Sequence, residues 1–294
     1  CYYENFHHIK ISDTILKELI ALVDQHIKNR TYPDKAIDIL DLSCVKAKFY
    51  HEQELTKIRI IETVEKYLNI TIHQQINKKT LEKQLNKNIF GQEKAIHQLV
   101  QTLETKKLPL SFFLYGQEST GKTTTAKILA RELNYHYLKL DMNQYKDIHA
   151  YYKLIGNNQE PSILLSTLQS TPHTVLYLKN IDQANEEIIH LISQILEEGY
   201  YEDSKKRKIS FENVIIILSQ TNITHRLGFK KNKTIHPRHP LLSKVDQVIE
   251  YQPLSKEIIE KIISKKQPNS SNKLHSLIQK EKNPTLSHIL KQMS

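Results

Sequence analysis

The chain has 294 residues, of which 39% are hydrophobic and 25% are charged, the ordinary composition of a globular protein. Since no apolar run reaches the ~18 residues of a membrane-spanning helix, no membrane partner is expected. The net charge of +10 would suit nucleic acid, but the cations are spread along the chain without interleaved aromatic residues, so a basic surface is expected rather than a nucleic-acid groove.

The first 75 residues predict an all-helical unit. Apolar residues recur with helical spacing through 12–30, where Ser12 is placed to cap the first turn. Pro33 suits the first turn of a second helix, and a third helical stretch follows. The segment 70–80 is polar and is predicted to be a linker.

Beyond the linker, strands and helices alternate, which predicts a parallel sheet with helices on both faces. The predicted strands are 108–115, 135–142, 174–179, 213–220 and 246–251. The predicted helices between them are 122–134, 162–170 and 186–199. We therefore expect a helical unit at 1–75, an α/β unit at 76–265 and a truncated helical tail at 266–294.

The segment GQESTGKT at 116–123 follows a predicted strand and opens a predicted helix. In that setting the pattern G-x-x-x-x-G-K-[ST] is a phosphate-binding loop. Its two glycines let backbone N–H groups curl around phosphates, and its lysine reaches the terminal phosphates of a nucleotide. The hydroxyl of Thr123 is the expected Mg²⁺ ligand. The predicted nucleotide-binding residues of the loop are Gly116, Gln117, Glu118, Ser119, Thr120, Gly121, Lys122, Thr123 and Thr124, and ATP is the expected ligand.

With the loop placed, the flanking segments resemble the Clp family of AAA+ unfoldases almost from end to end. The segments that carry the resemblance are NRTYPDKAIDILDLS (29–43), IFGQEKAI (89–96), LDMNQY (140–145) and LEEGYYEDSKKRKISFEN (196–213). Of only six glycines, five stand where the family has glycine, at positions 91, 116, 121, 156 and 199. The resemblance implies an α/β P-loop AAA+ fold, a parallel sheet flanked by helices, preceded by an all-α lid that ends a first ATPase module. It also implies that Ile89 and Phe90 touch the adenine.

The resemblance also implies partners: a homo- or hetero-hexameric Clp ring, protein substrates and a Clp peptidase. The sixth glycine lies in the tripeptide Leu227, Gly228 and Phe229, within a basic, polar loop. A similar tripeptide in peptidase-associated Clp unfoldases docks into hydrophobic pockets of the peptidase, and an exposed Leu/Phe pair would make such an anchor. The alternative is a loop pair that packs into its own core. No coiled-coil insertion interrupts 44–75, which favours a ClpA-like member.

The sequence departs from the family at its acidic motif. The run VLYLKNID (175–182) aligns with a family strand that ends in Asp and Glu, and here Lys179 and Asn180 stand at those positions. In the family, the Asp holds the Mg²⁺ shell and the Glu orients the attacking water. An ammonium cannot ligate a cation, and it would either repel Mg²⁺ or contact phosphate oxygens itself. Binding of Mg²⁺ is therefore doubtful, and hydrolysis should be slower by several powers of ten.

Other functional positions are altered as well. Lys244 stands where the family carries the arginine finger, and lysine lacks the planar fork of arginine. Asn222 is one residue late for the sensor asparagine of the family. The segment 157–172 is short and lacks the Gly-Tyr-Val-Gly pore loop. Asp182 is expected to cap the helix that follows it rather than to replace the missing base.

Two functions are consistent with these residues. The first is an ATP-binding subunit of a Clp-type chaperone or protease that delivers or gates substrates for a Clp peptidase, with impaired hydrolysis by this module. The second is a non-hydrolysing scaffold or adaptor, a pseudo-ATPase that docks the peptidase or joins a hetero-oligomeric Clp ring. The resemblance implies an ATPase, and the replaced acids leave open whether the chain is an enzyme.

The cysteines indicate a compartment. Cys1 and Cys44 do not make a disulfide framework, so the cytoplasm, or the equivalent reducing compartment of an organelle, is expected. Because residue 1 is Cys rather than Met, we expect the chain to begin inside a longer protein.

Overall fold

The computed structural model describes residues 2–27, 30–68, 70, 72, 78–106, 108–156, 162–202, 208–221 and 237–266. Its N-terminal part is helical, with α1 (Tyr2–His7), α2 (Asp13–His26), α3 (Asp34–Phe49) and α4 (Lys57–Leu68). Ser12 caps α2, because its hydroxyl accepts a hydrogen bond from the Ile15 N–H at 3.3 Å. The apolar stripes of α2, α3 and α4 meet in a core that contains Val23, Ile39 and Val64, all fully buried.

Two further helices, α5 (Lys78–Asn88) and α6 (Glu93–Thr105), precede the sheet. The polar-linker prediction for 70–80 is therefore only partly correct. Ile70 and Ile72 are just 9% and 5% exposed, and α5 begins before the predicted linker ends. Both helices join the hydrophobic core of the N-terminal helices, so described residues on both sides of the predicted boundary at 75 belong to one core.

The sheet confirms the predicted parallel α/β architecture. Its strands are β1 (Leu110–Gly116), β2 (His136–Asp141), β3 (Thr174–Lys179), β6 (Val214–Thr221) and β7 (Gln247–Tyr251). They are all parallel and lie in the order β2-β3-β6-β1-β7. The short strands β4 (Tyr200–Glu202) and β5 (Lys208–Ser210) form a separate antiparallel pair.

Helices cover both faces of the sheet. They include α7 (Lys122–Leu133), α8 (Ile148–Ile155), α9 (Ile163–Ser170) and α10 (Glu186–Glu198), and a further helix, α11 (Lys256–Lys266), follows β7. Alternate residues of β1 serve the two faces: Phe112 and Leu114 join one hydrophobic cluster, whereas Phe113 and Tyr115 join the other. In the ranges that the structure describes, no helix combines the length and apolar character needed to cross a membrane.

The register of the strands places five residues at one edge of the sheet. Asp141 at the end of β2 pairs with Lys179 at the end of β3. Gly116 at the end of β1 pairs with Thr221 on one side and with Tyr251 on the other. Since parallel strands bring their carboxyl ends together, these residues form the floor of a site at the edge where ligands bind in open α/β sheets.

The helical and α/β parts meet in a continuous interior. The His26 ring of α2 stacks on His173, with centroids 5.1 Å apart, and Tyr135 contacts His173 edge-on at 5.3 Å. Asn213 donates a hydrogen bond from Nδ2 to the Gln25 carbonyl oxygen. Burial, aided by His26, lowers the pKa of His173 to about 3, so this imidazole is neutral at ordinary pH. The boundaries proposed at residues 75 and 265 remain predictions.

Candidate nucleotide-binding site

The predicted phosphate loop connects β1 to α7. Gly116 has a φ of 145°, and a Cβ there would lie 2.3 Å from the Tyr251 carbonyl oxygen, so the position requires glycine. Gly121 has a φ of 111° and immediately precedes α7. The free N–H groups of the first turn of α7 therefore open onto the loop, as phosphate binding requires.

The remaining loop residues follow its surface. The Gln117 carbonyl accepts a hydrogen bond from the Thr120 hydroxyl at 2.9 Å, which closes the turn. Glu118 and Ser119 are exposed at its tip, where Ser119 has a φ of 62°. Thr124 is exposed on α7. The tip thus points away from the core, and its backbone is shaped by the buried residues at either end.

The Lys122 side chain is folded inside the loop. Its ammonium donates to the carbonyl oxygens of Gly116 and Gln117, at 2.9 Å and 2.6 Å, and the residue is 7% exposed. Burial lowers the pKa of Lys122 to about 8; the nearby carboxylate of Glu118 raises it and the ammonium of Lys179 lowers it further. Phosphate oxygens would stabilise this partly desolvated ammonium better than the carbonyl dipoles do.

The segment predicted to touch the adenine lies against the loop. Ile89 is buried, and a Cβ on Gly121 would lie 3.0 Å from its Cγ2. Gln92 fixes this segment to the chain after β7, because its Oε1 accepts from the Gln252 N–H at 2.9 Å and its Nε2 donates to the Gln252 carbonyl at 2.8 Å. Phe90 is half-buried between them. The adenine contacts of Ile89 and Phe90 remain predictions.

A tyrosine that the sequence analysis did not single out reaches the loop from below. The Tyr177 hydroxyl lies 3.0 Å from the Thr123 hydroxyl and 2.9 Å from the Ser219 hydroxyl. Tyr177 is 1% exposed, so its hydroxyl is held between α7 and β6. The expected metal ligand, Thr123, thus has its hydroxyl in a side-chain hydrogen bond. The only signal in the sequence was the presence of a tyrosine, which carries a polar hydroxyl, at a position of a buried strand where a purely apolar residue would be expected.

At the first altered acidic position, Lys179 forms an ion pair with the end of the neighbouring strand. Its Nζ lies 3.1 Å from Oδ2 of Asp141. Burial alone would raise the pKa of Asp141, but hydrogen bonds from Lys179 and from the Asn143 backbone outweigh it, so the pKa lies below its ordinary value. The carboxylate is therefore ionised at neutral pH and neutralises the ammonium.

At the second altered position, Asn180 links three strands. Its Nδ2 donates to Oδ1 of Asp141 at 3.2 Å, and its Oδ1 accepts from the Thr221 hydroxyl at 3.3 Å. Asn180 has a φ of 56°, a left-handed conformation that asparagine tolerates well. The amide therefore acts as a tie between β2, β3 and β6 in this structure.

The capping role predicted for Asp182 is wrong. The cap of α10 is Asn185, whose Oδ1 accepts a hydrogen bond from the Glu187 N–H at 2.9 Å. Asp182 lies in a 3₁₀ turn (Ile181–Gln183) and accepts from the Gln183 side chain at 2.8 Å. Both residues have the side-chain chemistry of a cap, but the helix begins at Glu186, so the residue directly before it is Asn185.

The residue at the arginine-finger position is held by its own chain. Lys244 Nζ lies 2.7 Å from Oε1 of Glu197, and it also donates to the Ser193 hydroxyl. Both partners belong to α10. The cation is therefore bound within the same subunit, where a finger would need a free cation to reach a neighbour.

Some predicted residues lie outside the described ranges. They are Asn222, the sensor candidate, and the docking tripeptide of Leu227, Gly228 and Phe229. Their roles remain predictions.

The loop fits a nucleotide phosphate, whereas the residues around Thr123 do not fit Mg²⁺. Mg²⁺ requires a near-octahedral set of oxygen ligands. Here the two predicted acidic-motif positions supply an ammonium and an amide rather than carboxylates, and the hydrogen-bond partner of the Thr123 hydroxyl is the neutral hydroxyl of Tyr177. The carboxylate at this edge, Asp141, is bonded to Lys179. Within the part of the chain that the structure describes, no group of three His, Cys, Asp or Glu residues could hold a metal ion.

Comparison with known proteins gives two family matches. A family model described as an AAA lid domain matches residues 1–96, and one described as an AAA domain (Cdc48 subfamily) matches residues 107–286. Together these matches cover the N-terminal helices and the whole sheet.

Curated relatives and solved structures agree with these matches. The chain is 26% identical to the ATP-dependent Clp protease ATP-binding subunit ClpE of Bacillus subtilis, covering 89% of this chain and 50% of that protein. It is 25% identical to a ClpA homolog protein of Fuscovulum blasticum, covering 90% of this chain and 38% of that protein. A closed-state cryo-EM reconstruction of Hsp104 with ATPγS and FITC-casein shares the fold, with a TM-score of 0.78 at 20% identity over 99% of this chain and 60% of that chain. The chain thus spans half or less of the length of these two curated relatives.

Proposed function

Because the chain belongs to the Clp/Cdc48-type AAA family, we propose that it is the ATP-binding subunit of a Clp-type ring that delivers or gates protein substrates for a Clp peptidase, with impaired hydrolysis at this module. The ATP-binding half of the proposal is supported by the phosphate loop, with its two left-handed glycines and its buried Lys122. Gly116, Gly121, Lys122 and the start of α7 would hold the phosphates, and Ile89 and Phe90 would contact the base.

The proposal that hydrolysis is impaired rests on the two residues at the predicted acidic-motif positions. The water-activating position holds Asn180, which cannot accept a proton from water and which is bonded to Asp141 and Thr221. The metal-binding position holds Lys179, an ammonium. Loss of a general base alone typically costs about 10²–10⁴ in rate, and the missing metal ligand adds to that loss.

The contacts of Lys244 favour a second candidate function, a non-hydrolysing scaffold or adaptor within a hetero-oligomeric Clp ring. In a working ring, a finger cation acts on the nucleotide of the neighbouring subunit. Lys244 is instead bound to Glu197 and Ser193 of its own α10. A subunit with such a cation would not stimulate hydrolysis in its neighbour, so its contribution would be structural.

Phosphate release tests the hydrolytic claim. The purified protein is incubated with ATP and Mg²⁺, beside the Lys122→Ala variant and a Clp ATPase with intact acidic residues as the positive control. We expect the wild type to release phosphate at the rate of the Lys122→Ala variant, while calorimetry shows that only the wild type binds ADP. Robust Mg²⁺-dependent release that Lys122→Ala abolishes would contradict the proposal.

A separate experiment tests the peptidase partner. The purified chain is captured on immobilised Clp peptidase, beside a Leu227→Ala/Phe229→Ala variant that lacks both apolar anchors. We expect the double variant to lose most of the binding, because buried apolar anchors dominate the energy of such interfaces. Undiminished capture of the variant would remove the docking role from this tripeptide.

A further inference from the structure

We propose that Lys179 leaves Asp141 when a nucleotide binds and contacts its phosphates, so that the protein itself supplies the cation and the nucleotide binds without a metal ion. The proposal rests on the proposed function, since it concerns nucleotide binding by the same loop. It assigns Lys179 as a phosphate ligand and Asp141 as the ion-pair partner of Lys179 in the absence of nucleotide. Tyr177 is assigned as the hydrogen-bond partner of the Thr123 hydroxyl.

The strand geometry places Lys179 on the face of the sheet toward α7 and the predicted phosphate loop. Tyr177 and Lys179 are two residues apart on β3 and therefore point to the same face of the sheet. The Tyr177 hydroxyl already reaches Thr123 at the start of α7, and Lys179 lies one step closer to the carboxyl edge where the loop begins. Its charge is near enough to Lys122 to lower the pKa of that residue.

The ion pair between Lys179 and Asp141 is one in which the ammonium can exchange the carboxylate for a phosphate. The Lys179 and Asp141 side chains are 32% and 23% exposed, and a single contact of 3.1 Å, between Nζ of the lysine and Oδ2 of the aspartate, joins them. Ion pairs that water reaches contribute little net stability. A nucleotide polyphosphate brings several negative charges to the loop, so an ammonium gains more from it than from one carboxylate. Asp141 keeps its hydrogen bonds from Asn143 and Asn180 after the ammonium has left.

The partner of the expected metal ligand, Thr123, is the neutral hydroxyl of Tyr177 and not a carboxylate. Thr123 would bind Mg²⁺ through its hydroxyl, which is 3.0 Å from the Tyr177 hydroxyl. Tyr177 is fully buried and is bonded to Ser219 as well, so it does not move aside without disturbing β6. The same edge of the sheet thus offers a metal no carboxylate at positions 179 and 180 and supplies a replacement cation instead.

The experiment measures the Kd of ADP by calorimetry on the full chain, once in EDTA and once in Mg²⁺. For the wild type we expect the two Kd values to agree within about threefold. Lys179→Met should weaken binding in EDTA by about tenfold or more, whereas Asp141→Asn should tighten it severalfold, because the ammonium no longer has to leave a carboxylate. Lys179→Arg, which keeps the charge, should retain binding in EDTA.

The double variant Lys179→Met/Asp141→Asn separates exchange from a general effect of charge. If Asp141 acts by storing the Lys179 ammonium, the tightening by Asp141→Asn disappears in the Lys179→Met background, as coupled residues show in a double-mutant cycle. Tightening that persists at full size in that background would overturn the exchange.

The wild-type measurement decides the proposal even if a variant fails to fold. A wild-type Kd that improves by more than about tenfold on adding Mg²⁺ would overturn the exchange and leave nucleotide binding by the loop intact. Absence of ADP binding in both conditions would instead overturn the proposed function, and the exchange with it. Equal affinity in both conditions supports the exchange.

Discussion

The ammonium of Lys122 gives the candidate site a pH dependence that can be worked out from the structure. Burial lowers the pKa of Lys122 to about 8, and phosphates bound at the loop would hold the group protonated. The apparent Kd of a nucleotide is then proportional to 1 + 10^(pH − 8), since only the protonated fraction of the free protein binds. Between pH 7 and pH 9 the Kd should rise about tenfold, which corresponds to about 1.4 kcal/mol.

Calorimetric titration of the wild type with ADP at pH 7, 8 and 9 measures this rise. The Lys122→Arg variant is the matched control, because a guanidinium stays protonated throughout, and its Kd should change by less than about twofold. A wild-type Kd that stays constant from pH 7 to pH 9 would refute the reasoning. The ammonium would then either keep an ordinary pKa in the free protein or make no contact with the phosphates.

Three further outcomes are expected. Because the pKa of His173 is lowered in the folded protein, this imidazole binds a proton between pH 6.5 and pH 5 only in the unfolded chain. The free energy of unfolding should therefore be about 2 kcal/mol smaller at pH 5 than at pH 7.5. In denaturant titrations the His173→Phe variant should lack this loss of stability, and a pH profile equal to that of the wild type would contradict the assignment. Gly116→Ala places a Cβ against the Tyr251 carbonyl and should destabilise the fold by about 2 kcal/mol or more, seen as a lower Tm, whereas a wild-type Tm would mean that the loop relaxes freely. Glu197→Gln removes the ion pair of Lys244 but not its hydrogen bond to the Ser193 hydroxyl, and it should leave phosphate release at the wild-type level. A clear rise would show that the ion pair of Lys244, rather than the residues at 179 and 180, limits hydrolysis.

The parts of the fold that local sequence determines were predictable. The strand and the helix on either side of the predicted phosphate loop were predicted because their signals are local, and the parallel sheet was predicted because strands and helices alternate. Helices α5 and α6 were missed: the first has a polar surface with few apolar positions, and its stability comes from burial of that narrow stripe against the rest of the core. Tertiary packing decided the outcome there.

The contacts of the candidate site residues could not be predicted from the sequence. Lys179, Asn180 and Lys244 could be identified by alignment with a motif, but sequence does not say which neighbouring strand or helix supplies their partners. Asp141 and Glu197 are 38 and 47 residues away from the cations that they bind. Tyr177 gave a weaker signal still, because a tyrosine in a buried strand is compatible with packing alone, and only the position of α7 above β3 brings its hydroxyl to Thr123.

Lys179 and Asn180, at the two predicted acidic-motif positions, both have hydrogen-bond partners on neighbouring strands. Lys179 is paired with Asp141, and Asn180 joins Asp141 to Thr221. An aspartate at 179 would instead lie in register with Asp141 on the next strand, where two carboxylates repel unless a cation lies between them. The lysine balances the charge of Asp141 without a metal, which is the condition that the proposed metal-free nucleotide binding requires.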